Sequence, residues 1–250
     1  MSDKYGLIGF PLGHSFSKNY FTQKFHSCDI DASYELYPLN DLNEFIPLIE
    51  KNPDLRGLNV TIPYKQKIIS FLDELTDDAA IINAVNTIKV VRNIDNFNLI
   101  GCNTDAPAFE SELIEFVGNE PGNALILGTG GASAAVAYSL KKLNWNFKFV
   151  SRFKSGDSIL SYQAIDKKLL NSIKLIVNTT PVGMYPSIDQ APNIHYFALN
   201  ENHFLFDLIY NPVDTLFLLK GKQQNAKTRN GLGMLYKQAE LAWNIWQDKL

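Results

Sequence analysis

The sequence predicts an α/β protein of two units, each built on a sheet with helices packed against it. Three observations carry this. Strand-like runs alternate with helical patterns through the first hundred residues. An apolar run at 124–127 leads into a glycine-rich turn and then a helix of small residues. Further strand-like segments follow at the spacing of a doubly wound sheet. A chain of 250 residues fits two small domains or one large one, at a usual size of roughly 150 residues.

In the first unit, "KYGLIGF" (4–10) reads as a strand ending in glycine and "SKNYFTQKF" (17–25) as a helix. "ASYELYPL" (32–39) alternates like a strand, and "LNEFIPLIEK" (42–51) is helical. "LRGLNVTI" (55–62) and "AVNTIKVVR" (84–92) are strands, the latter joined to another by a polar turn near Asn93–Asn96. This order predicts a largely parallel sheet. The chain leaves that sheet at Asn103–Asp105. "TDAPAFESELIEF" (104–116) starts a helix with Thr104 or Asp105 as its N-cap and Pro107 in the first turn.

The second unit opens after the polar break "GNEPGN" (118–123). Its strands are expected at 124–127, in "FKFVSR" (147–152), in "IKLIVNTTPVGM" (173–184) and in "FLFDLIYNP" (204–212), with a short last one in "AKTRNG" (226–231). The chain ends in an amphipathic helix with Leu235, Ala239, Ala242, Ile245 and Trp246 on one face and Lys237, Glu240, Asn244 and Asp248 opposite. Gln238 breaks this division, because it falls on the apolar side, where an amide needs a partner.

Bulk properties exclude several classes. Hydrophobic residues make up 46% and charged residues 20%, which is globular. A net charge of −3 implies no broad basic surface for nucleic acid. The two cysteines form no disulfide framework and suit a reducing cytoplasm. No secretory signal and no membrane-length apolar run of about 20 residues is read. The histidines at 14, 26, 195 and 203 are scattered, so no metal site is expected.

The glycine-rich turn "GTGGAS" places Gly128 and Gly130 at the first two positions of a G-x-G-x-x-G pattern, with Ser133 at the third. Glycine there lets backbone N–H groups approach a pyrophosphate at the start of the following helix. A strand before it and a helix after it make this a Rossmann-like cofactor site rather than an arbitrary turn. At the end of the next strand, an acid would hold a free ribose 2′-hydroxyl. This chain has Ser151, Arg152, Phe153 and Lys154 there. Arg152 can clasp a 2′-phosphate, with Lys154 nearby or merely solvated, which favours NADP over NAD.

The first unit also carries small polar residues around its strand ends: Ser15, Ser17, Asn59, Thr61, Asn86 and Asp105, with Lys65 just beyond a proline. That edge of an open α/β sheet is where ligands bind. The set suits a polyhydroxylated ligand, with Ser15 and Ser17 placed to hold a carboxylate. Each residue has a plainer reading as a cap, a turn former or a solvated side chain.

From end to end the chain resembles the shikimate dehydrogenases. The matching segments are "GHSFS" (13–17), "GLNVTIPYK" (57–65), "INAVNTI" (82–88), "GCNTD" (101–105), "LGTGGAS" (127–133), "VNTTPVGM" (177–184), "DLIYNP" (207–212) and "GLGMLYKQA" (231–239). The resemblance is to the single-function bacterial type. It implies reversible NADPH-dependent reduction of 3-dehydroshikimate to shikimate, on the route to chorismate and the aromatic amino acids. It also implies a substrate domain over 1–104 and 231–250, the last helix returning to it, and a Rossmann NADP domain over 105–230.

Carried over by residue, the resemblance puts the catalytic pair on Lys65 and Asp105 and the carboxylate contacts on Ser15 and Ser17. Hydroxyl contacts fall on Asn59, Thr61, Asn86, Asp105 and Gln238, with Tyr210 beside the substrate. Cofactor contacts fall on Gly128, Thr129, Gly130, Gly131, Ala132, Ser133, Ser151, Arg152, Lys154, Thr179 and Gly231, with Met234 near the nicotinamide. In the implied mechanism, hydride reaches the C3 carbonyl, Lys65 stabilises the oxygen or protonates it, and Asp105 orients Lys65 and keeps it charged. The chain departs from the family at Lys18, usually proline, and at Phe153 and Gly156, usually threonine and a second arginine. Ser17 favours shikimate over quinate, since quinate-preferring relatives tend to have threonine there. The presence of both Lys65 and Asp105 argues against a non-catalytic metabolite sensor. A cytoplasmic monomer or homodimer is expected, acting on a small-molecule substrate with no nucleic-acid or membrane partner.

Overall fold

The computed structural model describes residues 2–13, 15–94, 96–154 and 156–249. The chain divides into two compact units, residues 1–104 with 239–250 and residues 105–238.

The first unit holds strands β1 (Asp3–Gly9), β2 (Ala32–Pro38), β3 (Leu55–Val60), β4 (Glu74–Leu75), β5 (Thr87–Arg92) and β6 (Phe97–Cys102). Its helices are α1 (Phe16–Ser27), α2 (Phe45–Lys51) and α3 (Asp77–Ile82). The strand order is β2-β1-β3-β5-β6-β4. The sheet is largely parallel, as expected, with β5 as the exception, because it runs antiparallel to both β3 and β6. The cause is the short connection from Arg92 to Phe97, where the Asn93 amide donates to the Asn96 carbonyl at 2.9 Å, which makes β5 and β6 a hairpin. A hairpin reverses direction, whereas a parallel pair needs a long crossover. The strand expected from residue 84 starts at Thr87, after Asn83 has ended α3 in the left-handed region at φ 55°.

One face of this sheet packs a core of Ile8, Phe45, Leu58, Ile68, Val85 and Ile88. The other face buries an aromatic cluster of Tyr5, Phe21, Phe25, Tyr34, Trp243 and Trp246. The last two belong to α8 (Leu232–Trp246), the C-terminal helix. Ala239, Ala242 and Trp246 are buried as their spacing predicts, and the Trp246 indole N–H donates to the Ile88 carbonyl at 3.0 Å. That ring lies flat against Gly57, where a Cβ would overlap the indole.

The second unit holds α4 (Asp105–Val117), β7 (Asn123–Leu127), α5 (Gly131–Lys142), β8 (Asn146–Ser151), β9 (Ile159–Ser161), α6 (Lys167–Leu170), β10 (Leu175–Asn178), β11 (Phe204–Asp207), α7 (Leu216–Lys222) and β12 (Lys227–Arg229). All its strand pairs are parallel, in the order β12-β11-β10-β7-β8-β9. Counted from β7, this is the doubly wound order, and it reverses between β7 and β10. Parallel strands are covered on both faces, so β7, β10 and β11 read as near-continuous apolar runs. The short edge strand β9 has no such run and escapes a reading by pattern. Residues 232–238 of α8 belong to this unit. There the buried Glu112 of α4 pairs with Arg229 at 3.1 Å and with Lys237 at 2.9 Å. Among the described residues no helix is long and apolar enough to cross a membrane.

Gly57→Ala forces a methyl group into a rigid, buried indole. It should lower stability by about 1–3 kcal/mol, the usual cost of overpacking, as read from urea unfolding midpoints.

Candidate active site

In the first unit the sheet register gathers the polar residues at one edge. Asn59 pairs with Thr87, and Thr87 pairs with Cys102. The end of β3, the start of β5 and the end of β6 therefore meet at one level. Asn86 lies just before β5 but reaches the same edge, because β5 is antiparallel. Its Oδ1 accepts the Thr104 amide at 2.7 Å, and its Nδ2 donates to the Thr104 hydroxyl at 2.9 Å. Asn59 Nδ2 donates to the Asn86 carbonyl and to Thr87 Oγ1, each at 3.3 Å. Its Oδ1 accepts the Tyr34 phenol at 2.8 Å. Asn59, Asn86, Thr87 and Thr104 are all buried. Buried polar groups persist only when paired, and here they pair with one another.

Ser15 caps α1, accepting the Lys18 amide at 3.4 Å. The capping bond uses a lone pair and leaves the O–H able to donate, so the cap and a ligand contact are compatible. Ser17 stands at the second residue of α1, against the Tyr34 phenol. Lys18 pairs with Glu35 at 2.8 Å on the surface. The Thr61 amide bonds the Ile8 carbonyl at 2.9 Å, and its methyl fills the space where Gly9 lacks a Cβ. Lys65 is half-buried, and its carbonyl accepts the Val85 amide at 2.7 Å. The buried Tyr64 next to it donates to the Leu39 carbonyl, so the segment carrying Lys65 is pinned on both sides.

In the second unit Gly128 has φ +118°, a conformation that suits glycine, and a Cβ there would also press on Thr179 Oγ1. Ser133, at the third motif position, is buried and accepts the Gly130 amide at 3.0 Å. Its hydroxyl also bonds Thr179 Oγ1 at 2.8 Å, and Thr179 donates to the Leu127 carbonyl at 2.7 Å. Serine therefore ties the turn to the end of β10, across the point where strand order reverses. Gly130 is open to solvent, with nothing near its Cβ position, while Thr129, Gly131 and Ala132 are half-buried around it. This backbone cradle at the start of α5 fits a dinucleotide pyrophosphate.

After β8, the buried Ser151 accepts the amides of Phe153 and Lys154 at 3.3 and 3.0 Å. That turn exposes Arg152, Phe153 and Lys154. The Arg152 guanidinium lies 5.1 Å from the Phe153 ring centre. A cavity of about 360 Å³ beside it is lined by Arg152, Tyr162, Thr180, Val182, Gln190 and Pro192.

The remaining expected residues also lie in the second unit. Asp105 is buried at the start of α4, whose Ala106 carbonyl accepts Ser139 of α5 at 2.9 Å. The Gly231 amide donates to the Ile209 carbonyl at 3.0 Å, next to the half-buried Tyr210. Met234 is buried. Gln238 is half-buried, and its Nε2 donates to the Leu235 carbonyl one turn back at 3.0 Å, which gives the amide the partner its position demands.

Sequence reasoning missed Tyr34, Thr87, Thr104, Asn178, Asp207 and Thr215. Asp207 ends β11 fully buried and accepts Thr215 Oγ1 at 2.5 Å, Asn178 Nδ2 at 3.0 Å and the Ile209 amide at 3.1 Å. Burial pushes its carboxyl up from the usual 3.8 to about 6, against the pull of those three donors. A polar residue closing an apolar strand was the available signal, in "LIVN" and "FLFD". Among the described residues no cluster of histidine, cysteine and carboxylate side chains could hold a metal ion, and His14 lies outside those residues.

A parallel sheet in doubly wound order, with a glycine cradle at its first turn, defines the class of dinucleotide-binding proteins. The comparisons narrow this. The family model of the shikimate dehydrogenase substrate binding domain matches residues 7–88. The chain is 39% identical to the shikimate dehydrogenase (NADP(+)) of Methanococcus maripaludis over 98% of this chain and 91% of that one. It is 36% identical to the enzyme of the same name from Carboxydothermus hydrogenoformans, over 96% and 90%. A crystal structure of a shikimate dehydrogenase in complex with NADP+ matches with a TM-score of 0.82 at 34% identity, covering 99% of this chain and 90% of that one. The Thermus thermophilus enzyme in complex with NADP(H) and shikimate matches with a TM-score of 0.84 at 29% identity, covering 98% and 94%. The chain belongs to the shikimate dehydrogenase family. Its similar relatives include an archaeal enzyme, and the comparisons show the family without singling out one branch of it.

The raised Asp207 carboxyl makes a signed prediction. A carboxyl with a raised folded pKa contributes stability that is fully present below about 3.8 and is lost as pH rises through about 6. Asp207→Asn removes this titration. The stability of the variant relative to the parent should therefore rise by about 2 kcal/mol between about pH 4 and pH 7, from urea unfolding across that range.

Proposed function

We infer that this protein is an NADP-dependent shikimate dehydrogenase, reducing 3-dehydroshikimate to shikimate and running in reverse, within the shikimate pathway to the aromatic amino acids. The observation that carries this is identity to enzymes of that name along nearly the whole chain. A cytoplasmic monomer or homodimer is the assembly we propose.

NADPH, when bound, supplies the hydride. The chain's residues do the rest. As charge develops on the carbonyl oxygen, the Lys65 ammonium stabilises it and delivers the proton that completes the hydroxyl. A cation matched to developing charge lowers the barrier because it acts more strongly on the transition state than on the ground state. Asp105 accepts a hydrogen bond from a substrate hydroxyl. Ser15 and Ser17 donate to the substrate carboxylate. Asn59, Thr61, Asn86 and Gln238 take its hydroxyls, and Tyr210 lies beside it. Gly231 and Met234 face the nicotinamide. Gly128 to Ser133, with Thr179, hold the pyrophosphate. Ser151 shapes the turn from which Arg152 and Lys154 meet the 2′-phosphate, a dianion that a planar guanidinium can grip through two hydrogen bonds.

Nicotinamide absorbance with purified protein tests the reading, crossing shikimate and quinate against NADP⁺ and NAD⁺. Turnover should be confined largely to shikimate with NADP⁺. Equal rates with quinate or NAD⁺ would move the protein to a different dehydrogenase class, and silence in all four would revive the sensor. Lys65→Ala should cost about 10²–10⁴ in kcat, the range of general acid assistance, with NADP⁺ affinity kept. A variant that raised only KM would remove the catalytic role.

A further inference from the structure

Tyr34 lies outside every assigned role, yet it sits between two of the proposed substrate contacts. It is fully buried in the aromatic cluster, stacked on Phe21 with ring centres 4.7 Å apart. A buried phenol must satisfy its hydroxyl. Tyr34 does so by bonding Asn59 Oδ1 at 2.8 Å, with the Ser17 side chain on its other side.

The polarity of this chain of bonds can be derived. Asn59 faces the Asn86 backbone carbonyl at 3.3 Å, and a carbonyl only accepts. Nδ2 of Asn59 must therefore point that way, which turns Oδ1 toward Tyr34. The phenol must then donate its single proton to Oδ1. Its oxygen is left as an acceptor, so of the two neighbouring hydroxyls only that of Ser17 has a proton to offer the other. Burial holds the phenol protonated well beyond its ordinary range, so this direction does not reverse with pH.

We propose that Tyr34 is a positioning residue that couples Ser17 to Asn59, setting which atom of each faces the substrate. In the ligand-free protein the phenol oxygen offers the Ser17 hydroxyl an acceptor. When a substrate carboxylate arrives, the hydroxyl proton turns to the anion, and Asn59 stays locked by the phenol. This rests on the reading of Ser17 and Asn59 as substrate contacts.

Tyr34→Phe tests it, because the ring and its stacking survive while the hydroxyl goes. The KM and calorimetric Kd for shikimate should rise about tenfold, with kcat within about threefold, KM for NADP⁺ within about twofold and the thermal midpoint within a few degrees. In a Ser17→Ala background, adding Tyr34→Phe should weaken shikimate binding by less than about threefold, since coupled groups are not additive. Shikimate affinity within about twofold of the parent in the single variant would overturn the proposal. So would a full tenfold loss in the Ser17→Ala background, or a loss spread equally over kcat, both KM values and the melting point. A parent protein that neither binds nor oxidises shikimate would overturn the functional reading instead, which separates the two failures.

Discussion

The hydrogen bond from the Thr104 amide to Asn86 Oδ1, at 2.7 Å, is the contact on which the polar edge of the first sheet depends. It is made where β6 has ended and the backbone has lost its ladder partner. A buried amide left unpaired there would cost about 1–3 kcal/mol. Asn86 satisfies it and turns its own carbonyl toward Asn59. Asn59 is thereby oriented, and Tyr34 after it. One side-chain amide thus determines where the chain leaves the sheet, the point from which Asp105 begins α4. The main-chain carbonyl of the same residue, Asn86, holds Asn59 and, through it, Tyr34. No member can be rotated without stranding its neighbour, and this is how a polar site stays ordered inside an apolar core.

The second unit solves the same problem with different residues. Its strands end in Asn178 and Asp207, which bond each other at 3.0 Å. Asn178 Oδ1 accepts the Thr180 amide and hydroxyl, at 3.1 and 2.7 Å. Thr179, between them, closes on Ser133 and the Leu127 carbonyl. The glycine turn is therefore not a loose loop. Its shape is specified by β10 as much as by its own sequence. A hydroxyl at the third motif position does this work where glycine would only permit close packing. Asp207 is the member with most to lose. Three donors fall short of offsetting its burial, so its carboxyl holds its proton more tightly than an exposed one would.

Periodicity made the frame legible. Alternation in "ASYELYPL", the apolar runs of the parallel sheet and the stripe of α8 all correspond to buried faces. The glycine-rich turn was legible because its context on both sides was. What pattern could not give was partnership. Tyr34 reads as one more inward residue of a strand, and only the register that brings Asn59 near it shows that its hydroxyl is engaged. Ser15 and Ser17 look alike in sequence, yet one caps a helix and the other meets a phenol. Short elements were also invisible. The two residues of β4 and three of β9 are too few to show a period, and they are held as strands by their neighbours. The largely parallel reading of the first sheet meets its exception at β5, in the hairpin that the polar stretch between β5 and β6 marks.

In the proposed reading the cofactor end of the second unit relies on the exposed Arg152, with Lys154 beside it. A long cation on a surface turn is weakly held and loses side-chain freedom when it grips an anion, which drains part of the gain. Here Ser151 fixes the turn by taking two amides, and Phe153 offers its face to the guanidinium. Phe153 is 88% exposed, an unfavourable place for a phenyl ring unless something covers it. Arg152 partly does so, at a distance where cation–π attraction contributes about 0.5–1 kcal/mol at an exposed site. The pairing restricts the fork before any phosphate arrives, so less entropy remains to be lost on binding. With Gly156 adding no further charge, the proposed grip on a 2′-phosphate falls to Arg152 and Lys154, and the planar guanidinium supplies its directed hydrogen bonds. A grip of that kind rests on hydrogen-bond directionality, which salt screens less than it screens a diffuse positive patch.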